Sequence, residues 1–344
     1  MRKTHRVIVN GEQFSASRGD VLLDAALMSG VHIPHDCRSG HCGTCQVRIV
    51  AGALFGGDAR EAKACQCRVI ADVTVMVEEV PDVTTASGRV TALRSMAPDV
   101  VELCIALQRP LEYLPGQYLQ VQFRGFTARY YSPTVPLDRF GDGRSIQLHV
   151  RRVPGGHVSS ALGTDIAVGH RVKLRGPFGS AYLRPGLTNP LVLVAGGTGF
   201  APIWSIADAA MRDNPQRQIV LLVGARTFES LYMIPALWRL ASCPNVTIIP
   251  VTDTRQTASR VVRTGSPIDH LPTLYAEDIV YAAGPPPLVE AVIDMAEASG
   301  ATCYADAFVP SAERQEGLLS RAVNWLTGDT QVPSPSTVPS QLSR

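Results

Sequence analysis

The sequence predicts a multidomain chain built from a small α+β module of β-grasp type, an antiparallel β-barrel and an α/β domain on a parallel sheet. Three observations carry this expectation. Five of the eight cysteines precede Arg68, short β-type runs separated by proline and glycine turns fill the middle of the chain, and an apolar run ending in glycines then opens a βαβ series. At roughly 100–200 residues per domain, one core would be unusually large for 344 residues.

Composition excludes several classes. Glycine (29) and proline (25) stand at an ordinary level, and 45% of residues are apolar against 18% charged, so the chain is expected to fold. The 32 basic and 30 acidic side chains leave a net charge of +2, which offers no global field to recruit nucleic acid. The opening run from Met1 to Gly11 passes from a basic start to a short alternating stretch without the apolar segment of a signal peptide, and a cytoplasmic location is expected. No membrane partner is expected either. The uncharged stretch between Arg184 and Asp208 is divided by Gly196, Gly197, Gly199 and Pro202 into a β-rich run, a turn and a helix start.

In the first module, Arg6 to Val9 and Gln13 to Ser15 read as a hairpin turning at Asn10-Gly11, and Val21 to Met28 as a helix following Asp20. Val47 to Val50 and Val69 to Val77 supply further strands. Between helix and strands, Cys37, Cys42 and Cys45 have the C-x4-C-x2-C spacing of plant-type 2Fe–2S ligation, which takes a fourth cysteine further on. Three thiolates in nine residues must wrap one small anionic cluster, so the backbone has to approach its sulfurs; Ser39, Gly40, Gly43 and Thr44 permit that approach. The competing reading is a structural zinc site in a non-enzymatic nucleotide-binding module, although zinc sites commonly use short paired knuckles. A disulfide framework does not suit a chain of this size without a secretory signal. Cys104, Cys243 and Cys303 are isolated and read as small buried hydrophobes.

Pro81 to Gly88 is polar and turn-rich and reads as a linker, with strand rhythm resuming at Arg89. Val100 to Leu107, Tyr118 to Phe123, Ile146 to Arg152 and Arg171 to Leu174 then suggest the barrel. Leu191 to Ala195 is the continuous apolar run of a buried parallel strand. Gly196, Gly197, Thr198 and Gly199 follow it, and Ile203, Ile206, Ala207 and Ala210 take helical spacing with Pro202 in the first turn. Strand, glycine turn and helix together let backbone N–H groups and a positive helix end approach a pyrophosphate. Strands at Ile219 to Val223, Val246 to Val251 and Ile279 to Ala282 complete the series. After Pro310, Leu318, Leu319, Ala322, Val323 and Leu326 share one face of a helix that docks a partner or packs back on its own chain, and residues 328–344 are expected to be disordered. The boundaries expected are 1–84, 85–186, 187–310 and a tail over 311–344.

The cysteine loop with Ala64-Cys65-Gln66, Arg129 to Ser132 after Pro115 to Tyr118, Pro154 to Ser160, the glycine loop, Tyr281 to Pro286 and Tyr304 to Phe308 occur in order. Together they resemble the reductase components of aromatic-ring-hydroxylating dioxygenases, of the naphthalene dioxygenase reductase type, over residues 5–310. The resemblance implies a plant-type ferredoxin domain fused to a ferredoxin-NADP reductase-like module, with a 2Fe–2S cluster on Cys37, Cys42, Cys45 and Cys65. Cys67 is a competing fourth ligand. It further implies FAD, with Tyr118 in its signature, Arg129 at the phosphate, Tyr131 at the ring, Gly156 and Ser159 at the diphosphate, and Ser132 at the reactive nitrogen. Gly197, Thr198, Gly199, Pro202, Gly284 and Pro285 would serve NADH, with NADPH possible. Ser132 and Phe308 would be the catalytic positions, Phe308 lying where nicotinamide enters, with plain core packing as its alternative.

The function so implied is passage of electrons from NADH through FAD and the cluster, singly, to a Rieske ferredoxin or the terminal oxygenase. The alternative within the class is the reductase of a di-iron monooxygenase. The chain is expected to be monomeric by itself. After Val223-Gly224-Ala225, one cation (Arg226) is followed closely by Glu229, which suits ribose hydroxyls better than a 2′-phosphate. Accordingly, kcat/KM for NADH should exceed that for NADPH, and equal values in steady-state assays would reject the preference.

Overall fold

The computed structural model describes residues 3–35, 38–40, 44–57, 60–78, 80–137, 144–254 and 261–308. The expected tail helix, and the boundary at 310, lie outside them.

In the first module, β1 (Thr4–Val9) and β2 (Glu12–Ser17) form the predicted hairpin. Asn10 (φ 48°) and Gly11 (φ 90°) both adopt the left-handed conformation that a tight two-residue turn requires. Helix α1 (Leu22–Met28) follows, then β3 (Gln46–Phe55), β4 (Glu61–Lys63) and β5 (Arg68–Met76). The sheet order is β2-β1-β5-β3-β4, with β1 and β5 parallel. Alternate residues such as Val7, Val9, Val73 and Val75 face Leu22, Leu23 and Ile33 in one core. Asp20 does not cap the helix. Its carboxylate instead accepts the Ser17 N–H at 2.8 Å, and Val21 occupies the cap position without a side-chain bond.

The second module comprises β6 (Thr84–Ala97), β7 (Val100–Leu107), β8 (Tyr118–Phe123), β9 (Arg129–Tyr131), β10 (Pro133–Thr134), β11 (Ser145–Arg151) and β12 (Arg171–Phe178). Their order β10-β11-β7-β6-β12-β8-β9 nearly closes, because the two edge strands β9 and β10 are consecutive in the chain. The expected linker is corrected here: Thr84–Gly88 belongs to β6 and pairs with Val172–Gly176 of β12. Its inward residues are Ala86 and Gly88, and a Cβ on Gly88 would stand 2.4 Å from the Ala106 carbonyl oxygen. Small inward residues and polar outward ones hid the strand's alternation.

The third module alternates β13 (Leu191–Gly196), α2 (Phe200–Asp213), β14 (Ile219–Ala225), α3 (Ile234–Ala241), β15 (Val246–Thr252), β16 (Arg263–Thr264), β17 (Ile279–Gly284), α4 (Pro286–Ser299) and β18 (Thr302–Ala307). The sheet runs β16-β15-β14-β13-β17-β18 with every pairing parallel. Connections leave β13 in one direction and return to its other side at β17, so the strand order switches between these two. Both are buried along their length, as their continuous apolar sequences require. None of the described helices is long and apolar enough to cross a membrane.

Helix α2 joins this sheet to the barrel. The Trp204 indole donates to the Val135 carbonyl at 2.9 Å, and the Ser205 hydroxyl to that of Pro133 at 3.2 Å. Gly116, which packs against the same helix, has φ 104°, and a Cβ there would lie 2.1 Å from the Ala181 carbonyl oxygen and 2.8 Å from Ile206 of α2. Only glycine fits.

A polar cluster spans the neighbouring strands β6, β7 and β11 on the face turned from the barrel core. Glu102 lies 3.8 Å from His149 Nε2 and 3.3 Å from Arg94 Nη1, and it accepts the Gln147 amide. The nearby His149 ring above all, with the Arg94 charge and the Gln147 amide, holds the Glu102 carboxyl below its ordinary value of 4.5 against the opposing effect of burial. A depressed folded pKa gives stability that is present above the unfolded value and is lost as pH falls through the folded one. Glu102→Gln is therefore expected to lower the melting temperature at pH 7 and to flatten its decline below about pH 4.5, checked by thermal unfolding across pH.

Candidate functional site

The cysteine loop runs into β3, and β3 faces the turn that carries the later cysteines. Ala64 N–H donates to the Cys45 carbonyl at 2.9 Å, which sets Ala64 across from Cys45 and brings Cys65, the next residue, to the same end of the β3–β4 ladder. Helix α1 fixes the same turn from behind, through Leu23 N–H to Ala64 O at 3.0 Å and Leu22 N–H to Cys67 O at 3.1 Å. Cys65 is half-buried, whereas Cys67 is fully enclosed in the module's core. Burial pushes the Cys67 thiol up to about 12, so it remains a neutral core side chain.

Gln66 bridges two loops. Its amide donates to the Arg38 carbonyl at 3.2 Å and lies 3.5 Å from Cys65 Sγ. Gly40 packs against it so closely that a Cβ would meet Gln66 Cγ at 2.9 Å, and both Arg38 (φ 53°) and Gly40 (φ 81°) are left-handed. The segment immediately after position 37 is thus drawn beside Cys65. Cys37 and Cys42 themselves lie outside the described residues. The Thr44 hydroxyl, next to Cys45, is buried with no hydrogen-bond partner among the described residues. Two cysteines on neighbouring chain segments, left-handed backbone and a buried hydroxyl without a partner among the described residues fit a sulfur-rich cluster.

On the barrel, strand alternation sends Tyr130 and Tyr131 to opposite faces. Tyr130 joins Tyr118 and Phe178, with ring centroids 5.6 and 6.4 Å away. Tyr131 packs toward the barrel core beside Leu119, and burial pushes its hydroxyl up to about 12. Arg129 is half-buried and donates to the Ala128 carbonyl at 2.9 Å. The expected diphosphate loop lies nearby, since the His157 ring is 5.2 Å from that of Phe126. Within it, Ser159 Oγ accepts the Val153 N–H at 3.1 Å, and a Cβ on Gly156 would stand 2.5 Å from that oxygen. The tight turn leaves backbone, not side chain, facing outward at Gly156, which fits a phosphate approaching it.

In the third sheet, a short 3-10 turn over Gly197–Gly199 leads into α2. A Cβ on Gly199 would fall 2.0 Å from the Ala283 carbonyl oxygen, and one on Gly284 (φ 143°) 2.8 Å from that of Gly196. Gly197 (φ 55°) has open space before it. Thr198 lies between them, and Pro202 is buried in the first turn of α2. Pro285 precedes α4 and touches the Gly196 side of the loop. The carboxyl ends of β13 and β17, at the switch point, therefore form one cradle with a helix N-terminus aimed into it, which fits a dinucleotide. Glu229 stands at the same sheet edge, beyond β14, and its own backbone N–H holds its carboxyl below the ordinary range.

The two modules meet at the end of β18. Ser132 is buried, and its hydroxyl donates to the Asp306 carboxylate at 3.2 Å. Two residues on, Phe308 N–H donates to the Gly284 carbonyl at 2.8 Å while its ring packs half-buried against the core. Ser132, Phe308 and Gly284, far apart in sequence, are thus brought together. Asp306 joins them although the sequence reading gave it no role. Its signal was present in the Ala-Asp-Ala-Phe stretch, but nothing local links it to Ser132.

Comparison with known proteins agrees with this division. Family models for a 2Fe-2S iron-sulfur cluster binding domain, an oxidoreductase FAD-binding domain and an oxidoreductase NAD-binding domain match residues 7–70, 87–182 and 193–294. The reductase component of a naphthalene 1,2-dioxygenase system from Pseudomonas putida is 32% identical over 86% of this chain and 95% of its own length. The reductase component of naphthalene 1,2-dioxygenase/salicylate 5-hydroxylase systems from Ralstonia sp is 35% identical over 86% and 96%. The crystal structure of an Amycolatopsis cytochrome P450 reductase matches with TM-score 0.62 and 30% identity, covering 89% of this chain and 99% of that one. Iron–sulfur, flavin and nucleotide domains in one order over nearly whole lengths make this chain a member of the family of ferredoxin–NAD(P)+ reductase components, NAD(P)H-dependent flavin iron–sulfur oxidoreductases.

Proposed function

We propose that this chain takes electron pairs from NADH and delivers them singly to a Rieske-type ferredoxin, or directly to the terminal oxygenase, of an aromatic-ring-hydroxylating dioxygenase system. The observation that carries the electron path is the convergence of Ser132, Phe308 and Gly284 where the barrel meets the nucleotide cradle. The choice of acceptor draws on the Pseudomonas putida and Ralstonia relatives, which are reductase components of such systems. When bound, FAD accepts a hydride and releases its electrons one at a time, which the 2Fe–2S cluster relays.

The residues then divide the work. Cys37, Cys42, Cys45 and Cys65 hold the cluster, and the half-buried position of Cys65 against the enclosed Cys67 favours Cys65 as fourth ligand. Arg129 clamps phosphate oxygens, Gly156 and Ser159 line the diphosphate, and Tyr118 and Tyr131 frame the ring. Ser132 presents its hydroxyl to the reactive nitrogen edge with its orientation held by Asp306. Gly197, Thr198, Gly199, Pro202, Gly284 and Pro285 receive the dinucleotide, and Phe308 guards the nicotinamide entrance. The functional boundaries of this reading are 1–84 for the cluster, 85–186 for flavin and 187–310 for nucleotide, with the first moved to just before Thr84, where β6 begins.

A cytochrome P450 acceptor is the second reading, favoured by the likeness to the Amycolatopsis cytochrome P450 reductase. Reconstitution separates the two: NADH-dependent reduction of a purified Rieske ferredoxin at rates well above those with a cytochrome P450 is expected, and the reverse order would reject the dioxygenase assignment. Replacement of the ligands gives a sharper check on the cluster. Cys65→Ser should lose acid-labile sulfide and the visible cluster absorption while keeping NADH-dependent ferricyanide reduction, and Cys67→Ser should keep both. Iron and sulfide analysis showing the opposite pattern would move the fourth ligand to Cys67.

A further inference from the structure

The first module meets the rest of the molecule at the short run after β5. Asn10, at the β1–β2 turn, grips that run from both sides. Its Nδ2 donates to the Val77 carbonyl at 2.9 Å, and its Oδ1 accepts the Val77 N–H at 2.7 Å. The next residue, Glu78, leaves the sheet in a direction so fixed. Its carboxylate lies 2.6 Å from Arg184 Nε and accepts the Tyr182 hydroxyl.

Arg184 is a buried charge, with its side chain 5% exposed. Its guanidinium sits 3.6 Å from the Tyr182 ring centroid and 4.0 Å from that of Tyr304. Nη1 donates to the carbonyls of Ser180 and Tyr182 at 2.9 and 2.8 Å. Those carbonyls satisfy hydrogen bonds but carry no net charge, so the carboxylate of Glu78 supplies the neutralising anion. Removing it would leave an unpaired cation between two aromatic rings. Tyr182 keeps its proton as donor to Glu78, because burial raises its pKa.

Two features connect this contact with electron flow. Tyr304 lies on β18, two residues before Asp306, the residue that accepts from Ser132. Beside the ion pair opens a cleft of about 1100 Å³, with Thr44, Gln46 and Glu61 on the wall of the first module and Asp278, Thr302 and Tyr304 opposite. Thr44 adjoins Cys45, so the cluster-bearing loop borders the docking cleft.

We propose that Glu78 is a positioning residue for internal electron transfer: paired with Arg184 between the rings of Tyr182 and Tyr304, it sets the docked position of the cluster-bearing module. The step it serves moves one electron from flavin to cluster, so separation and orientation govern it. The inference rests on the family's electron path and is independent of the final acceptor.

Scattering, hydrogen exchange and stopped-flow spectroscopy on the holoprotein test it. Glu78→Ala should increase the radius of gyration and speed hydrogen exchange around residues 302–304. Flavin reduction by NADH should stay within about twofold of wild type while flavin-to-cluster transfer slows at least about tenfold, as misplaced redox partners would require. Glu78→Gln keeps the length and an acceptor for Tyr182 but loses the charge, and should fall between. Tyr182→Phe, which leaves the ion pair intact, should act in the same direction but less. Unchanged scattering and transfer in Glu78→Ala would overturn the proposal. Equal slowing of both steps would also overturn it, since that marks general loss of structure. The expected effects together with no turnover on a Rieske ferredoxin would support the positioning role and reject only that acceptor.

Discussion

The close approach of two strand ends sets the geometry on which the rest depends. At the carboxyl ends of β13 and β17, Gly199 stands against the Ala283 carbonyl and Gly284 against that of Gly196, with no room for a Cβ at either place. This contact opens the strand-order crevice directly onto backbone, as dinucleotide recognition requires. It also determines where β18 ends. Because Phe308 N–H is bonded to Gly284, the segment carrying Asp306 is brought against the barrel corner at Ser132. One steric condition in the sheet thereby links the nucleotide cradle to the flavin-side residues of another module.

Charge is handled differently at two contacts between modules. Glu102 and His149 are cross-strand neighbours on the face of β7 and β11 turned away from the barrel core, where the His149 ring meets that of Tyr232 from the third module, with Arg94 reaching in from solvent. Such a group is costly to leave half-satisfied, which ties the barrel's stability to the ionisation of a single carboxyl. Arg184 has its counter-charge on another module. The first pair lies where the barrel packs on the third module, and the second joins the first module, whose core is distinct, to the rest.

Burial also sorts chemically identical side chains. Cys65 and Cys67 are both thiols in one short turn, yet one borders the loop drawn in by Gln66 and the other is sealed in the core. Tyr130 and Tyr131 are neighbours, yet the pleat sends one to the Tyr118 and Phe178 rings and the other toward the barrel interior. In each pair, environment rather than residue type decides availability for chemistry.

The sequence alone determined the module order, the hairpin at Asn10-Gly11, the buried strand at Leu191 to Ala195 and the glycine turn after it, because each depends on local periodicity or on backbone freedom that a few neighbouring residues display. The cysteine spacing was equally local. The strand at Thr84–Gly88 escaped notice because its inward residues are alanine and glycine, and only its pairing with Val172–Gly176 defines it. The Ser132–Asp306 contact and the Glu78–Arg184 pair join residues 174 and 106 positions apart. No periodicity encodes such meetings. Tertiary structure decided them, because the path of β18 past the barrel and the exit of the chain from β5 follow from how whole sheets pack, a property that no window of sequence contains.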